Sequence, residues 1–295
     1  MPTRKRQAAR RVDEASTDGA DAHRPPLPPV TISEHEGVRY LHLGSAWVQG
    51  AMCLRRPEAI ELDYVQRMLA SLLWLPTDAL DEGLAVQLGL GAGAITRFTH
   101  RQLGMHTIAV ELNPLVIHAG RLWFRLPEDG PRLQLLRMDA LHWLREQAQP
   151  GSVRLLHVDL YDEEAAAPVL DGADFYTACR RVLAPGGVMA VNLFGRNASF
   201  AASAARIAAA FGADQVWSLR PTREGNTVVV AGQGVVVPAR EELSRRAAAI
   251  EKRFGHLGLK ARSWLRMVRP WRPHEPADVP AVAASAADFA SAARA

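Results

Sequence analysis

The sequence has 295 residues, 48% of them hydrophobic, so it can form one large or two small globular domains with a substantial core. Its apolar stretches are interrupted by Arg, Asp or Gly before they reach the roughly 20 residues of a membrane span, so we expect no transmembrane helix and no membrane partner. The formal net charge is +4, but much of the basic excess lies near the two ends of the chain, which argues against a nucleic-acid partner. Cys53 and Cys179 are far apart and outside any CxxC or His-rich motif, so we expect neither a metal site nor a disulfide.

Residues 1–30 form a basic, Pro-rich leader. They are rich in charged residues, Ala and Pro, a composition that cannot bury enough apolar surface to fold, so we predict that they are disordered. The basic N-terminus is not followed by the apolar segment of a secretory signal, so we expect a cytoplasmic location.

Residues 31–56 are predicted to form a small β lid. From about residue 37 to residue 53 the pattern favours an antiparallel hairpin that turns at Gly44 and Ser45. A helix should follow Pro57 and end before Pro76. The apolar face of that helix carries Val65, Met68, Leu69, Leu72 and Leu73.

Residues 57–260 are predicted to form a nucleoside-binding α/β domain. Short apolar strands alternate with helices, which is typical of a parallel sheet that is covered on both faces. Asn113 should cap the helix that Pro114 opens. The predicted strands span residues 85–88, 107–110, 133–136, 155–158 and 188–193, and a closing antiparallel pair spans residues 215–219 and 227–231.

Residues 261–295 are interpreted as a basic segment followed by a disordered tail rich in Ala and Pro. Trp264 and Trp271 lie among the arginines of this segment. Such a pattern is compatible with binding of a single-stranded nucleic acid, but an amphipathic terminal helix explains it structurally.

A glycine-rich motif, Gly89-Leu90-Gly91-Ala92-Gly93, follows the first strand of the α/β domain. Its glycines permit a sharp turn and a close approach of the backbone to a nucleotide, although such a turn can also serve only to connect strand and helix. Glu111 ends the next strand, where an acid can accept two hydrogen bonds from ribose hydroxyls or, alternatively, cap a helix. The Lys and Ser/Thr of a phosphate loop are missing from this motif, which favours a nucleoside without a long phosphate chain.

Further acids follow the third and fourth strands. Asp139 can receive the exocyclic amine of adenine or cap the next helix, and the two roles are compatible. Asp159 and Asp162 come at the end of the fourth strand, where parallel sheets open onto their ligands. Paired acids at this edge are suited to a cationic substrate.

In this order and setting, the residues resemble the spermidine synthase family, over residues 38–232. Members of that family are aminopropyltransferases with the class I methyltransferase fold. The resemblance implies a Rossmann-like α/β fold, with a mostly parallel seven-stranded sheet and a small N-terminal β element. The positions that match cofactor-binding residues of the family are Gly89, Gly91, Gly93, Glu111, Asp139 and Gln49.

The same resemblance implies the catalytic roles. Asp159 falls on the catalytic aspartate, which would orient and deprotonate a primary amine, with Tyr161 or water assisting. Tyr161 and Asp162 are the predicted substrate-binding residues, and Asp162 and Glu163 would hold a distal ammonium.

This chain departs from the family pattern at several positions. The family usually has Asp where this chain has Ala92, and that Asp contacts the amine of the aminopropyl group. Tyr64 lies one residue out of register with the lid tyrosine of the family, so packing in the core is the preferred interpretation. The family's Ser-Ser-Asp-Pro stretch is replaced by residues 160–163.

The implied activity is transfer of an aminopropyl group from decarboxylated S-adenosylmethionine to a small-molecule amine such as putrescine. One alternative is a methyltransferase that uses S-adenosylmethionine, because Ala92 lacks the charge that would repel a cofactor carboxylate. Another alternative is a non-catalytic homologue that binds an adenosyl ligand. A homodimer is compatible with the sequence, which does not determine the oligomeric state.

Overall fold

The structure is a computed structural model that describes residues 10–11, 27–160, 170–194 and 197–272. Within these ranges the strands form two separate sheets, one of four strands and one of eight. Tyr161 and Asp162, the predicted substrate-binding residues, and Glu163 lie outside the described residues.

The N-terminal sheet is antiparallel and follows the chain order. It consists of β1 (Arg10–Arg11), β2 (Val30–His35), β3 (Val38–Leu43) and β4 (Val48–Cys53). The predicted hairpin corresponds to β3 and β4, whereas β2 was not expected. Glu36 and Gly37 both have positive φ, as a two-residue turn between twisted strands requires, and they join β2 to β3.

The β lid begins earlier than the predicted boundary at residue 31. Val30 is buried in a cluster with Leu41, Met52 and Phe124, so it belongs to the fold and not to the leader. The carbonyl of Pro28 accepts a hydrogen bond of 2.9 Å from Asn113 Nδ2. A single buried Val after a Pro-rich run has no periodicity of its own, so sequence patterning did not reveal it.

The eight-stranded sheet contains the predicted parallel part and one strand more than predicted. Its order is β12-β10-β11-β9-β8-β5-β6-β7, in which the strands from β9 to β7 are parallel neighbours and β11, β10 and β12 are added antiparallel. The strands are β5 (Leu84–Leu88), β6 (His106–Glu111), β7 (Leu133–Arg137), β8 (Val153–Val158), β9 (Leu183–Phe194), β10 (Val216–Leu219), β11 (Asn226–Gly232) and β12 (Val268–Pro270).

Helices cover both faces of this sheet, as expected for a parallel core. They are α1 (Asp63–Met68), α2 (Ala94–Arg97), α3 (Pro114–Trp123), α4 (Ala140–His142), α5 (Ala173–Val182), α6 (Asn197–Phe211), α7 (Arg240–Phe254) and α8 (Ala261–Trp264). The 3-10 segment Leu69–Trp74 continues α1. Two π-helical segments follow other helices: Phe98–Leu103 continues α2, and Trp143–Gln147 continues α4. Short 3-10 turns span Ala213–Gln215 and Gly255–Leu257. Successive residues of β8 face different cores: Leu155 packs towards α1 and α7, and Leu156 towards α5.

The predicted end of the α/β domain at residue 260 is too early. Trp264 is only 1% exposed and joins the core on the α1 and α7 side. After it, β12 pairs with β10, which supplies the eighth strand. Burial of Trp264 favours the structural interpretation of this aromatic residue over a stacking surface. Arg262, Arg269 and Arg272 remain exposed.

No helix in the described part of the chain is both long enough and apolar enough to cross a membrane.

Candidate active site

The glycine-rich motif lies at the carboxyl end of β5 and brings three segments into close contact. Gly89, Gly91 and Gly93 all have positive φ, which favours glycine. A Cβ at Gly89 would lie 2.1 Å from the backbone oxygen of Asp159, and a Cβ at Gly91 would lie 2.8 Å from the backbone oxygen of Gln49. The turn thus needs glycine in order to approach both β8 and the β lid.

Two buried side chains outside the predicted motif support this turn. Gln87 Nε2 donates to the Gly89 carbonyl at 2.7 Å from within β5. Arg97 is 2% exposed, and its guanidinium donates to the carbonyls of Ala92 and Phe124, both at 2.7 Å. Burial lowers the pKa of Arg97 to about 10. The side chains of Gln87 and Arg97 therefore hold the glycine-rich turn by hydrogen bonds to its backbone carbonyls.

Glu111 ends β6 and faces the glycine-rich turn. Its Oε2 accepts a hydrogen bond of 2.9 Å from the Leu90 N–H, and its Oε1 accepts one of 2.8 Å from the Asn113 N–H. Burial raises the pKa of Glu111, and the backbone donors oppose that shift. Asn113 itself caps α3, accepting from the Leu115 N–H at 3.0 Å, as predicted. A carboxylate has about four acceptor positions, so Glu111 retains capacity for the hydroxyls of a ribose.

Asp139 follows β7 and caps α4. Its Oδ1 accepts a hydrogen bond of 2.9 Å from the His142 N–H, so the capping role predicted for it is present. It lies at the same edge of the sheet as Glu111, because β6 and β7 are parallel neighbours. That position is compatible with the proposed contact to adenine.

Asp159 follows β8 and is held by two side chains from distant parts of the chain. Tyr64 donates its hydroxyl to Asp159 Oδ2 at 3.1 Å, and Asn192 donates Nδ2 to Asp159 Oδ1 at 2.9 Å. Burial raises the pKa of Asp159 to about 6, against the lowering effect of these hydrogen bonds. The carboxylate therefore has a fixed orientation and a higher proton affinity than an exposed aspartate.

Tyr64 packs against the core, as preferred from the sequence, and it also makes a polar contact in the site. Its ring packs against the core beside α1, but its hydroxyl reaches Asp159. Core packing and a polar contact coexist because a tyrosine has an apolar body and a polar tip. The register of the sequence motif did not predict this contact, since it depends on how tertiary packing places α1 near the residue that follows β8.

Asn192 is a site residue that sequence reasoning missed. It is 3% exposed near the carboxyl end of β9, and its Oδ1 accepts a hydrogen bond of 3.2 Å from Asn226 Nδ2 on β11. Asn226 N–H in turn donates to Thr222 Oγ1 at 3.2 Å. An amide inside an otherwise apolar strand was the available signal, because buried polar groups need partners.

A cavity lies between the β lid, the start of α1 and the glycine-rich turn, and it is open to Asp159. Gln49 Nε2 is buried there and has no hydrogen-bond partner among the described residues, so it is a donor that a ligand can satisfy. The lining residues are Gln49, Gly50, Ala51, Ile60, Glu61, Leu62, Tyr64, Val65, Gln87, Leu90, Gly91, Ala92, Ala94, Ile95 and Asp159.

No group of three or more His, Cys, Asp or Glu side chains within the described ranges is arranged to hold a metal ion.

Solved structures with similar folds define the class of protein. A probable spermidine synthase from Corynebacterium glutamicum matches with a TM-score of 0.64 and 20% identity over 86% of this chain and 93% of the other. Human methyltransferase-like protein 13, solved with SAH, matches with a TM-score of 0.58 and 21% identity over 72% and 97%. A spermidine synthase solved with the transition-state analogue AdoDATO matches with a TM-score of 0.55 and 16% identity over 78% and 84%. The fold is therefore the methyltransferase-like α/β fold that spermidine synthases share.

Curated relatives narrow this class to a family. A polyamine aminopropyltransferase of Chromobacterium violaceum is 32% identical over 78% of this chain and 86% of the relative. One of Neisseria meningitidis serogroup B is 30% identical over the same shares. No family model matches the chain. The chain belongs to the polyamine aminopropyltransferase family, whose members are transferases.

Proposed function

We propose that this protein transfers an aminopropyl group from decarboxylated S-adenosylmethionine to a primary amine such as putrescine, as a spermidine synthase-like enzyme. The observation that carries the proposal is the carboxylate of Asp159, which Tyr64 and Asn192 hold at the edge of a cavity beside the glycine-rich turn. Family membership supplies the reaction class.

The nucleoside part of the ligand would bind around the glycine-rich turn. Gly89, Gly91 and Gly93 allow close approach of the backbone, and Glu111 would accept hydrogen bonds from the ribose hydroxyls. Asp139 would accept from the exocyclic amine of adenine. From the lid, Gln49 would donate a hydrogen bond to the ligand through Nε2, which has no partner among the described residues.

In the reaction, the amine nitrogen would form a bond to the methylene carbon beside the sulfonium as the carbon–sulfur bond breaks. The sulfonium makes that carbon electrophilic, and methylthioadenosine leaves with the bonding electron pair on sulfur. Asp159 would take the proton that the nitrogen loses, either directly or through water. No covalent enzyme intermediate is needed.

The environment of Asp159 suits this role. A carboxylate with a pKa near 3.8 is a weak base towards an alkylammonium with a pKa near 10, and burial narrows this gap by raising the pKa of Asp159 to about 6. The two hydrogen bonds from Tyr64 and Asn192 fix the direction of the carboxylate. Alignment in a cavity that excludes water would supply much of the remaining rate. Tyr161, Asp162 and Glu163 are proposed to bind the acceptor.

A second candidate function is methyl transfer from S-adenosylmethionine, and the presence of Ala92 instead of an acid favours it. Calorimetric titration with decarboxylated and ordinary S-adenosylmethionine side by side tests both proposals, followed by incubation with putrescine and mass analysis of the products. Aminopropyl transfer is expected to yield spermidine and methylthioadenosine. Methylated product together with S-adenosylhomocysteine would overturn it in favour of the second candidate, and binding without turnover of any amine would favour a non-catalytic homologue.

A further inference from the structure

The cavity has a second carboxylate, that of Glu61, in addition to Asp159. Glu61 lies between the β lid and α1, and its backbone is held on both sides. The Ile60 N–H donates to the Leu257 carbonyl at 2.8 Å, and the Leu62 carbonyl accepts from the Gln66 N–H at 3.1 Å. This segment can therefore hold a side chain at a fixed place in the cavity wall.

The Glu61 side chain is half-buried, and no hydrogen bond or ion pair joins it to another of the described residues. Its charge acts on the lid side of the cavity. Tyr40 pairs directly with Ala51, a cavity residue, and the pKa of Tyr40 is raised by burial and then by the charge of Glu61. Glu61 thus lines the space between the lid and the glycine-rich turn, and its charge is close enough to act on a lid side chain.

The charges that line the cavity are all negative. Glu61 and Asp159 are the ionisable acids of the lining, which contains no Lys, Arg or His. Both oxygens of Asp159 already accept hydrogen bonds, from Tyr64 and Asn192, whereas Glu61 retains its full acceptor capacity. A cationic group entering this space is attracted, and a carboxylate group is repelled.

Position 92 carries no acid in this chain, and its side chain packs close to the lid. Ala92 is 3% exposed, and a Cβ at Gly50 of the lid would lie 2.5 Å from the Ala92 Cβ. The turn and the lid are therefore packed in contact at this point.

We propose that Glu61 is a specificity residue that recognises the primary ammonium group of the ligand in this cavity. The proposal rests on the proposed function, and it identifies an acid other than position 92 that can distinguish the two adenosyl ligands. Two ammonium groups could be the one recognised: that of the aminopropyl group and that of the acceptor amine. In either case the negative charge of Glu61, added to that of Asp159, makes the cavity selective for an amine over an amino acid end.

The test is titration of the wild-type protein, Glu61→Gln and Glu61→Asp with decarboxylated S-adenosylmethionine, S-adenosylmethionine and methylthioadenosine. Glu36→Gln is the matched control, because Glu36 also acts on Tyr40 but does not line the cavity. Glu61→Gln is expected to weaken binding of the decarboxylated ligand about ten- to a hundredfold, the range for a lost contact to a charged group. Glu61→Asp should keep part of the preference, and Glu36→Gln should keep all of it.

Methylthioadenosine lacks the amine, so its affinity should be the same in all four proteins and reports whether the fold is intact. If Glu61→Gln leaves affinity for the decarboxylated ligand unchanged but raises the KM for putrescine by the same factor, the recognised ammonium is that of the acceptor. Unchanged affinity together with unchanged KM would overturn the proposal about Glu61 alone. A wild-type protein that binds none of the three adenosyl compounds would overturn the proposed function as well.

Discussion

The two ends of the candidate site are built in different ways. The nucleoside end, defined as the glycine-rich turn with Glu111 and Asp139, is made by residues at the ends of the neighbouring strands β5, β6 and β7. The amine end, defined as Tyr64, Asp159, Asn192 and Glu61, combines three segments that are far apart in the sequence. A local motif can specify the first end, whereas only tertiary packing produces the second.

The largest effect is expected at the amine end, from Asp159→Asn. The amide keeps the shape of the carboxylate but cannot take a proton, so kcat should fall about 10²- to 10⁴-fold. The affinity for methylthioadenosine should not change. Turnover is measured with putrescine, and Asp81→Asn, an exposed acid before β5, is the control. Full turnover in Asp159→Asn would exclude this residue as the base.

Arg97→Leu tests the support of the nucleoside end. The substitution leaves the carbonyls of Ala92 and Phe124 without their donor in a buried place, so the free energy of unfolding should fall by about 2–4 kcal/mol. Arg101→Leu breaks a surface ion pair with Glu58 and should cost less than about 1 kcal/mol. Urea denaturation measures both variants. Equal losses would mean that the buried guanidinium is not a special support of the turn.

Glu111→Ala should weaken binding at the nucleoside end alone. Loss of hydrogen bonds to a charged acceptor should cost about 1.5–3 kcal/mol for methylthioadenosine and for the decarboxylated cofactor alike. Calorimetry on both ligands measures this, and Glu111→Gln, which keeps one acceptor oxygen, should lose less. A loss confined to the decarboxylated cofactor would mean that the two ends of the site are assigned the wrong way round.

The smallest effect is expected from Tyr64→Phe, and it is a shift of pH dependence. In the proposed mechanism the ionised form of Asp159 is the base, so kcat/KM should fall as the pH decreases through about 6. The Tyr64 hydrogen bond lowers the pKa of Asp159, so its removal should move this acidic limb to higher pH, by about one unit or less. Tyr176→Phe, which removes a hydroxyl bonded to Asp171, is the control. If the acidic limb of the pH profile does not move in Tyr64→Phe, this hydroxyl does not influence the pKa of Asp159.

The sequence predicted the parts of the fold that follow from local patterns. The strands of the parallel sheet, the cap at Asn113 and the glycine-rich turn each have a signal within a few residues. β2 and β12 were missed because their pairing partners, and not their own patterns, define them as strands. Trp264 was predicted to lie outside the domain because the arginines around it indicate an exposed segment, although its own side chain is deeply buried.

Local sequence patterns also missed residues of the candidate site. Gln87 and Asn192 are amides inside apolar strands, and each supports a site element through a hydrogen bond. A rule that every polar residue in a buried strand needs a partner would have marked both residues. It would not have named the partners, because these depend on strand order. Glu61 had no signal of its own, since an acid before a helix is ordinary.

The placement of Asp159 two residues after His157 on β8 links the site to the acid stability of the whole fold. Burial lowers the pKa of His157 to about 4, so this residue stabilises the folded state above pH 6.5 and loses that contribution as the pH falls towards 4. Asp159 has the opposite sign, because its raised pKa penalises the folded state above about pH 6 and the penalty disappears as the pH falls towards 3.8. Between about pH 4 and pH 6 the protonations of His157 and Asp159 change the free energy of unfolding in opposite directions, so their effects compensate each other. Asp159→Asn should therefore be more stable than the wild type at neutral pH yet lose stability more steeply between pH 6 and pH 4, which denaturant titrations over that range can measure.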